Sequence, residues 1–551
     1  MPSLSDSDEY RTMVSSYGSR NSLISLAVIS LVFIITATVL DCGPFTTDHY
    51  RLIGHADEAE ISSVANNILS GNGPVADCYW LLHGQGHYTD KLPRLEGYWS
   101  IYLAYTQAMF FYVFGASRTS VLLTASMFKS ALAVLVGYSC WKLSRSKLVA
   151  LTGLLFSLFS PQMLDRVDGL SDIQLTFFGF LTMVIIQKAM ASRSIWIWFC
   201  IGAISGVAIG FKPTGLLFVG LVFVALFYEF CSERDPWRLG LKIMLSVVGV
   251  LVGLLPLFIH NYHASGSIIW PDFARIATGT KLVNSGLAGH NQAMFDPETP
   301  SMPGDLFKGS WFIRHIRLIS IFSIEFLNGS GIHIIWLFPF VLMGLVVKLN
   351  QFLSRKVLAS DCDRFFFLYF WLLLAAVLLG FVAHCESRYW NFLMPIEITL
   401  ALYYVHRLSP KFIYCILAVG VIVDLASVAA IVKTTKDGSE RAVKEKIYRV
   451  AYEQADKNLP QDSIVITSDP WEFSFHTRRK TVVVPYNSNP EVLRKIAARF
   501  SATHLAIINN DIRNPQLKKE ITESSLDFLE KVYASKELVI WKFKLGDATS
   551  L

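Results

Sequence analysis

The chain has 551 residues, 53% of them hydrophobic and 17% charged, with a net charge of +6 and eight cysteines. Ordinary soluble chains carry about 25% charged residues, and the mean hydropathy here is +0.43. These values exclude a disordered chain and a collagen-like repeat, eight scattered cysteines exclude a disulfide scaffold, and nucleic acid is not an expected partner.

In chain order, residues 1–22 read as a cytoplasmic tail, with Arg11 and Arg20 ahead of the first apolar run, Leu23 to Leu40. Twenty-two residues precede that run and it is too long for a cleavable signal peptide. It therefore reads as a first membrane span. Further spans are expected at 119–141, 148–162, 172–190, 195–211, 213–230, 240–259, 332–349, 364–383, 390–407 and 412–432. The loops holding Lys142 to Lys147, Lys188 to Arg193, Arg234 to Lys242, Lys348 to Arg364 and Arg407 to Lys411 are basic. With eleven spans, all five fall on the side of the N-terminus, as the positive-inside rule asks. The outer side then receives 41–117, 161–172, 260–331 and the C-terminal residues. Gly97 to Gly115 would break this pattern as a span, so its aromatics (Tyr98, Trp99, Tyr102, Tyr105, Phe110, Phe111, Tyr112) are read as an interfacial helix.

From Lys433 the composition becomes soluble. Strands are expected at Ile464 to Thr467, Val482 to Pro485, His504 to Ile508 and Leu538 to Phe543. Helices are expected from Asn489 to about Phe500 and from Leu517 to Ala534. The expected fold class is thus a polytopic α-helical membrane protein of about eleven spans. Residues 23–432 form its membrane domain, and 433–551 a small extracytoplasmic α/β domain.

Four outer segments carry chemistry. His55-Ala-Asp57-Glu58-Ala-Glu60 opens a helix whose stripe is Ile61, Val64, Ala65, Ile68 and Leu69. Asp57 lies four residues before Ile61 and shares its face, whereas Glu60 should point away. Acids in a first turn are common through the helix dipole; the functional reading is a general base or metal ligand at the membrane surface. Asp165-Arg166-Val-Asp168-Gly-Leu-Ser171-Asp172 is either a solvated loop with a helix cap or a second carboxylate cluster. Phe211-Lys212-Pro213 puts a lysine at the outer tip of a helical hairpin, as a snorkelling side chain or as a phosphate anchor. Arg388-Tyr389-Trp390 lies outside, against the charge bias, as an interfacial anchor or a phosphate ligand. Cys42 and Cys78 are both outside and could pair in an oxidising compartment. The mid-span ionisable residues are few: Lys129, Glu397 and Asp424.

In this order and on this shared side, the motifs resemble the GT-C superfamily of membrane glycosyltransferases, in its protein O-mannosyltransferase and aminoarabinose transferase branch. Asp57-Glu58-Ala-Glu60-Ile61 resembles the family's acidic motif, and Ser171-Asp172-Ile-Gln-Leu its second one. Lys91-Leu-Pro93 with Gly97-Tyr-Trp and Phe114-Gly115 resembles the close of the first outer loop, although the gap from Lys91 to Gly97 is longer than in the aminoarabinose transferase. Phe211-Lys212-Pro213, His260-Asn261 to Gly266 and Glu386-Ser-Arg388-Tyr389 resemble later family elements. The resemblance implies a polyprenyl-phosphate-linked sugar as donor and a lipid, glycan or protein hydroxyl as acceptor. It implies a multi-pass location in a bacterial plasma membrane, or in the ER membrane of a eukaryote. It implies catalytic Asp57, Glu58 and Asp172, and substrate binding by Asp168, Lys212, Arg388, Tyr389 and Lys91. No residues match a defined metal site; the resemblance allows a divalent metal and assigns it no ligands. A polytopic transporter and a non-catalytic envelope assembly protein are the other classes that this composition admits.

Overall fold

The structure, a computed structural model, describes residues 20–42, 56–79, 92–95, 100–160, 163, 170–192, 194–232, 235–268, 337, 339–347, 360–382, 391–436, 440–484, 489–509, 517, 519–521 and 526–544. Ten of the expected spans coincide with helices, and the described residues of the eleventh, 332–349, are helical. These are α1 (Arg20–Cys42), α4 (Arg118–Ser144), α5 (Lys147–Phe159), α6 (Asp172–Ala189), α7 (Trp196–Phe211), α8 (Leu216–Ser232), α9 (Pro236–Ser265), α10 (Asp361–Val382), α11 (Met394–Leu408) and α12 (Phe412–Lys436), with residues 339–347 also helical. Among the described residues three helices, Arg118–Ser144, Pro213–Cys231 and Pro236–Ala264, are long and apolar enough to cross a membrane.

Two ends of the bundle are marked by polar contacts. At one, Lys142 on α4 donates to Gln187 Oε1 on α6 at 3.4 Å and lies 3.4 Å from Asp361 Oδ2 on α10. Gln187 in turn donates to the Asp361 carbonyl at 2.7 Å. Three of the basic segments therefore meet, as a common side requires. The other end carries two short helices, α2 (Ala56–Leu69) and α3 (Ile101–Phe114), packed on each other. Helix α3 has 14 residues, about 21 Å of rise against the roughly 30 Å of a bilayer core. Ser100 caps it and also donates to the Gly210 carbonyl at 2.8 Å. Tyr102 donates to the Gly253 carbonyl at 2.5 Å. Helix α3 is thereby seated on α7 and α9, with Tyr105, Met109, Tyr112, Val113 and Phe114 exposed, the apolar surface expected of an interfacial helix.

Beyond α13 (Glu440–Asn458) the chain forms β4 (Ile464–Thr467), α14 (Pro470–Thr477), β5 (Lys480–Val483), α15 (Pro490–Phe500), β6 (His504–Ile508), β7 (Leu529–Ala534) and β8 (Leu538–Phe543). Asn489 caps α15 by accepting from the Val492 amide at 2.9 Å, with Pro490 at its first position. Two expectations fail here. Of the helix expected from Leu517 to Ala534, residues 517 and 519–521 are helical, but Leu529–Ala534 is a strand, antiparallel to β8. This strand is exposed at the sheet edge and carries Glu530 and Lys531. An edge strand charged in this way loses the apolar alternation that would have announced it. The hairpin turn is also built without glycine: Ser535 Oγ accepts from the amides of Glu537 and Leu538. Second, the sheet is not made from the C-terminal segment alone. The first loop, which holds β1 (Val75–Ala76), β2 (Cys78–Tyr79) and β3 (Arg94–Leu95), pairs β1 with β3 and sends β2 to the sheet edge, parallel to β5. The sheet order is β2-β5-β4-β6-β8-β7. Tyr79 is 1% exposed and its ring lies 4.4 Å from that of Phe500. No disulfide joins Cys42 and Cys78.

Candidate active site

The acidic helix α2 begins at Ala56, with Asp57 and Glu58 in its first turn. Asp57 is half-buried, whereas residues 58–65 are all buried. Glu58 is 2% exposed and Glu60 0%. Glu60, expected away from the packed stripe, is therefore buried all the same. A single stripe describes a helix with one covered face, and α2 has more than one. Ser62 on α2 donates to Gln107 Oε1 of α3 at 3.2 Å. On another side α2 is covered by α14 from the C-terminal segment. Past its middle, Asn67 donates to the Val75 carbonyl at 3.0 Å and to Asp77 Oδ2 at 2.6 Å. Burial pushes the Asp77 carboxyl above its ordinary value, with Asn67 and Lys480 opposing the shift.

Asp172 opens α6 and Lys212 ends α7, and the two form an ion pair. Their side chains are 7% and 18% exposed. Helix α7 stops because Pro213 follows and begins a 3₁₀ turn over Pro213–Gly215. That turn holds the lysine between α6 and α8. The residues next to the pair tie it to the acidic helix. Ile173 and Phe211 share one apolar cluster with Ala59, Ile61, Val64 and Ala65 of α2. Phe211 stacks on Phe178 at 5.2 Å and meets Phe128 at 5.9 Å. The acids of α2, the carboxylate of Asp172 and the ammonium of Lys212 are thus brought to one end of the bundle by a shared aromatic floor. Lys91, Asp165, Asp168, Arg388 and Tyr389 lie outside the described residues. Among the described residues no group of three or more His, Cys, Asp or Glu is placed to hold a metal ion.

Beneath this end sits a pair that the sequence reading missed. Lys129 on α4 donates to Asp41 Oδ1 at 2.5 Å, and Ser126 donates to Asp41 Oδ2 at 2.7 Å. Both charged side chains are buried, at 0% and 1% exposure. Lys129 was visible as a mid-span cation; Asp41 read as the first loop residue rather than as part of α1. Deeper in the bundle, Tyr369 donates to Glu397 at 2.9 Å.

No family profile matches the chain, and no curated protein matches it in sequence. Solved structures do match. ArnT from Cupriavidus metallidurans bound to undecaprenyl phosphate aligns with a TM-score of 0.58 at 12% identity, over 95% of this chain and 98% of that one. The apo oligosaccharyltransferase of Archaeoglobus fulgidus aligns with a TM-score of 0.58 at 13% identity, over 90% of this chain and 70% of that one. Archaeal oligosaccharyltransferase AglB, from the same organism and in complex with an inhibitory peptide and a dolichol-phosphate, aligns with a TM-score of 0.52 at 10% identity, over 87% and 69%. The chain therefore shares the fold of ArnT and of the archaeal oligosaccharyltransferase, the fold that its sequence motifs lead one to expect.

Proposed function

We propose that the protein transfers a sugar from a polyprenyl-phosphate donor to an acceptor hydroxyl at the outer face of its membrane. The observation that carries this reading is the Asp172–Lys212 pair, held in one apolar cluster with the acid-bearing helix α2. An ammonium has three donors, so a carboxylate and a donor phosphate can share it. Asp172 then keeps Lys212 in place. Arg388 and Tyr389, with Lys91 and Asp168, complete donor binding in this proposal. Asp57 is the least buried of the α2 acids and sits at a helix N-terminus. It accepts the proton of the acceptor hydroxyl as that oxygen attacks the anomeric carbon. The bond from that carbon to the phosphate oxygen breaks, and the phosphate leaves with its charge balanced by Lys212. Glu58 lies beside Asp57 as a second carboxylate for orienting the acceptor.

Undecaprenyl and dolichol phosphate in two of the matched structures support a polyprenyl-phosphate donor. The transporter reading is less well supported. Two of its mid-span ionisable residues, Lys129 and Glu397, are engaged with Asp41 and Tyr369. The test is a purified full-length protein given a polyprenyl-phosphate sugar and an envelope acceptor extract. Sugar release from the lipid is expected, and Asp57→Asn should lower it by the ~10²-fold or more of general-base removal while donor still binds. Near-normal transfer by Asp57→Asn would move the base to another carboxylate.

A further inference from the structure

Helix α14 is only eight residues long, Pro470–Thr477, yet it faces three ways. Phe473 and Thr477 are buried, and Phe473 joins the core beneath the sheet together with Tyr448, Tyr452 and Val465. Glu472 accepts from the Tyr452 hydroxyl at 3.2 Å, and the His476 ring stacks on Tyr452 at 5.2 Å. Trp471 and Phe475, four residues apart and so on one face, leave the sheet core altogether. They join the cluster of Ala59, Ile61, Val64 and Ala65 on the acidic helix, with Ile173 and Phe211.

A second tie runs in parallel. The Thr481 amide at the start of β5 donates to the Asp77 carbonyl at 2.8 Å, and β2 then pairs with β5. Asn67, near the end of α2, holds Asp77 and Val75. The acidic helix is therefore fixed to the C-terminal sheet near both its ends, while α3 holds it through Ser62 and Gln107.

We propose that Trp471 and Phe475 are positioning residues: through α14 the C-terminal sheet sets where the Asp57 end of α2 stands relative to the Asp172–Lys212 pair. This rests on the glycosyl-transfer reading above. Neither ring touches the reacting atoms in this scheme. Both act by packing on the helix that carries the base. A misplacement of about 1 Å can cost ~10²-fold in rate, so a small rotation of α2 is enough to be read in kcat.

The test compares full-length Trp471→Ala/Phe475→Ala with Trp471→Phe/Phe475→Leu and with Phe528→Ala, which loses packing elsewhere in the sheet core. Measured per folded enzyme, the double alanine variant should lose ~10- to 100-fold in kcat with donor KM nearly unchanged. Its pH profile for kcat should shift, because the base sits in a changed environment. The Phe/Leu variant should recover most of the rate, and Phe528→Ala should lower thermal stability alone. Unchanged kcat in the double alanine variant, or an equal kcat loss in Phe528→Ala, would overturn the proposal. If the unaltered protein released no sugar from the lipid donor, the glycosyl-transfer reading itself would fail; if it transferred normally and only the α14 variants were silent, the positioning role alone would.

Discussion

Removing Lys212 alone strands Asp172, a carboxylate side chain 7% exposed at a helix start. Lys212→Ala should therefore lower stability, approaching the ~3–5 kcal/mol that follows loss of one partner of a buried pair, as well as weaken donor binding. The two effects can be separated. Lys212→Met with Asp172→Asn removes both charges of this pair, so thermal stability should recover relative to Lys212→Ala while donor affinity stays ~10- to 100-fold down, the worth of one charge-assisted phosphate contact. Recovery of both would return Lys212 to a structural role. A second residue gives a pH signature outside the bundle. Burial pushes His476 down to about 4 from an ordinary 6.5. Below that ordinary value the unfolded chain takes up a proton that the folded chain refuses. Stability should thus fall as pH drops from about 6.5 towards 4, by ~3 kcal/mol at most. Thermal unfolding across this range should show the loss, and His476→Phe should flatten it. Residue types and a shared end of the bundle were readable for Asp57, Asp172 and Lys212. Their pairing was not, because an ion pair between helix ends 40 residues apart leaves no periodic trace.

At the scale of elements, α7 and α9 approach more closely than side chains normally permit. A Cβ at Gly202 would stand 2.0 Å from the Ser246 carbonyl oxygen, and one at Gly249 would stand 2.2 Å from the Phe199 carbonyl oxygen. These contacts are with backbone, which cannot turn aside. Gly202→Ala and Gly249→Ala should each force the helices apart and cost ~1–3 kcal/mol, read as a lowered unfolding temperature in detergent. The cost should reach the site, since Gly253 of α9 accepts from Tyr102 of α3. Elements with a strong period or a named start were legible: the apolar helices, the Asn489-capped helix and the buried strands at 464–467 and 504–508. The charged edge strand at 529–534 was not, since exposure on both faces removes the alternation on which such a reading depends. Nor was the wrapping of α2, because its cover comes from a helix about 400 residues along the chain.

For the whole molecule, the charge bias predicts a cytoplasmic N-terminus and an outer C-terminal sheet. The contact of α14 with α2, on the end opposite the Lys142–Asp361 cluster, supports that arrangement. Reporter fusions near Lys147 and at Leu551 should read inside and outside respectively, and two identical readings would sink the eleven-span topology. The sequence-level division at residue 433 catches a change in composition but not the unit that packs, since two residues of the first loop complete the C-terminal sheet.

That splice orders assembly in time. Residues 78 and 79 leave the ribosome about 400 residues before their partner strand, Lys480–Val483, a wait of roughly 20–80 s at ordinary elongation rates of ~5–20 residues per second. Throughout that interval the membrane helices can insert, but β2 has no strand beside it and α2 has no α14 above it. The acid-bearing helix reaches its final surroundings only when nearly the whole polypeptide has been made. A chain cut short before residue 464 would therefore keep every carboxylate of the α2 motif and still lack the surface on which that helix rests.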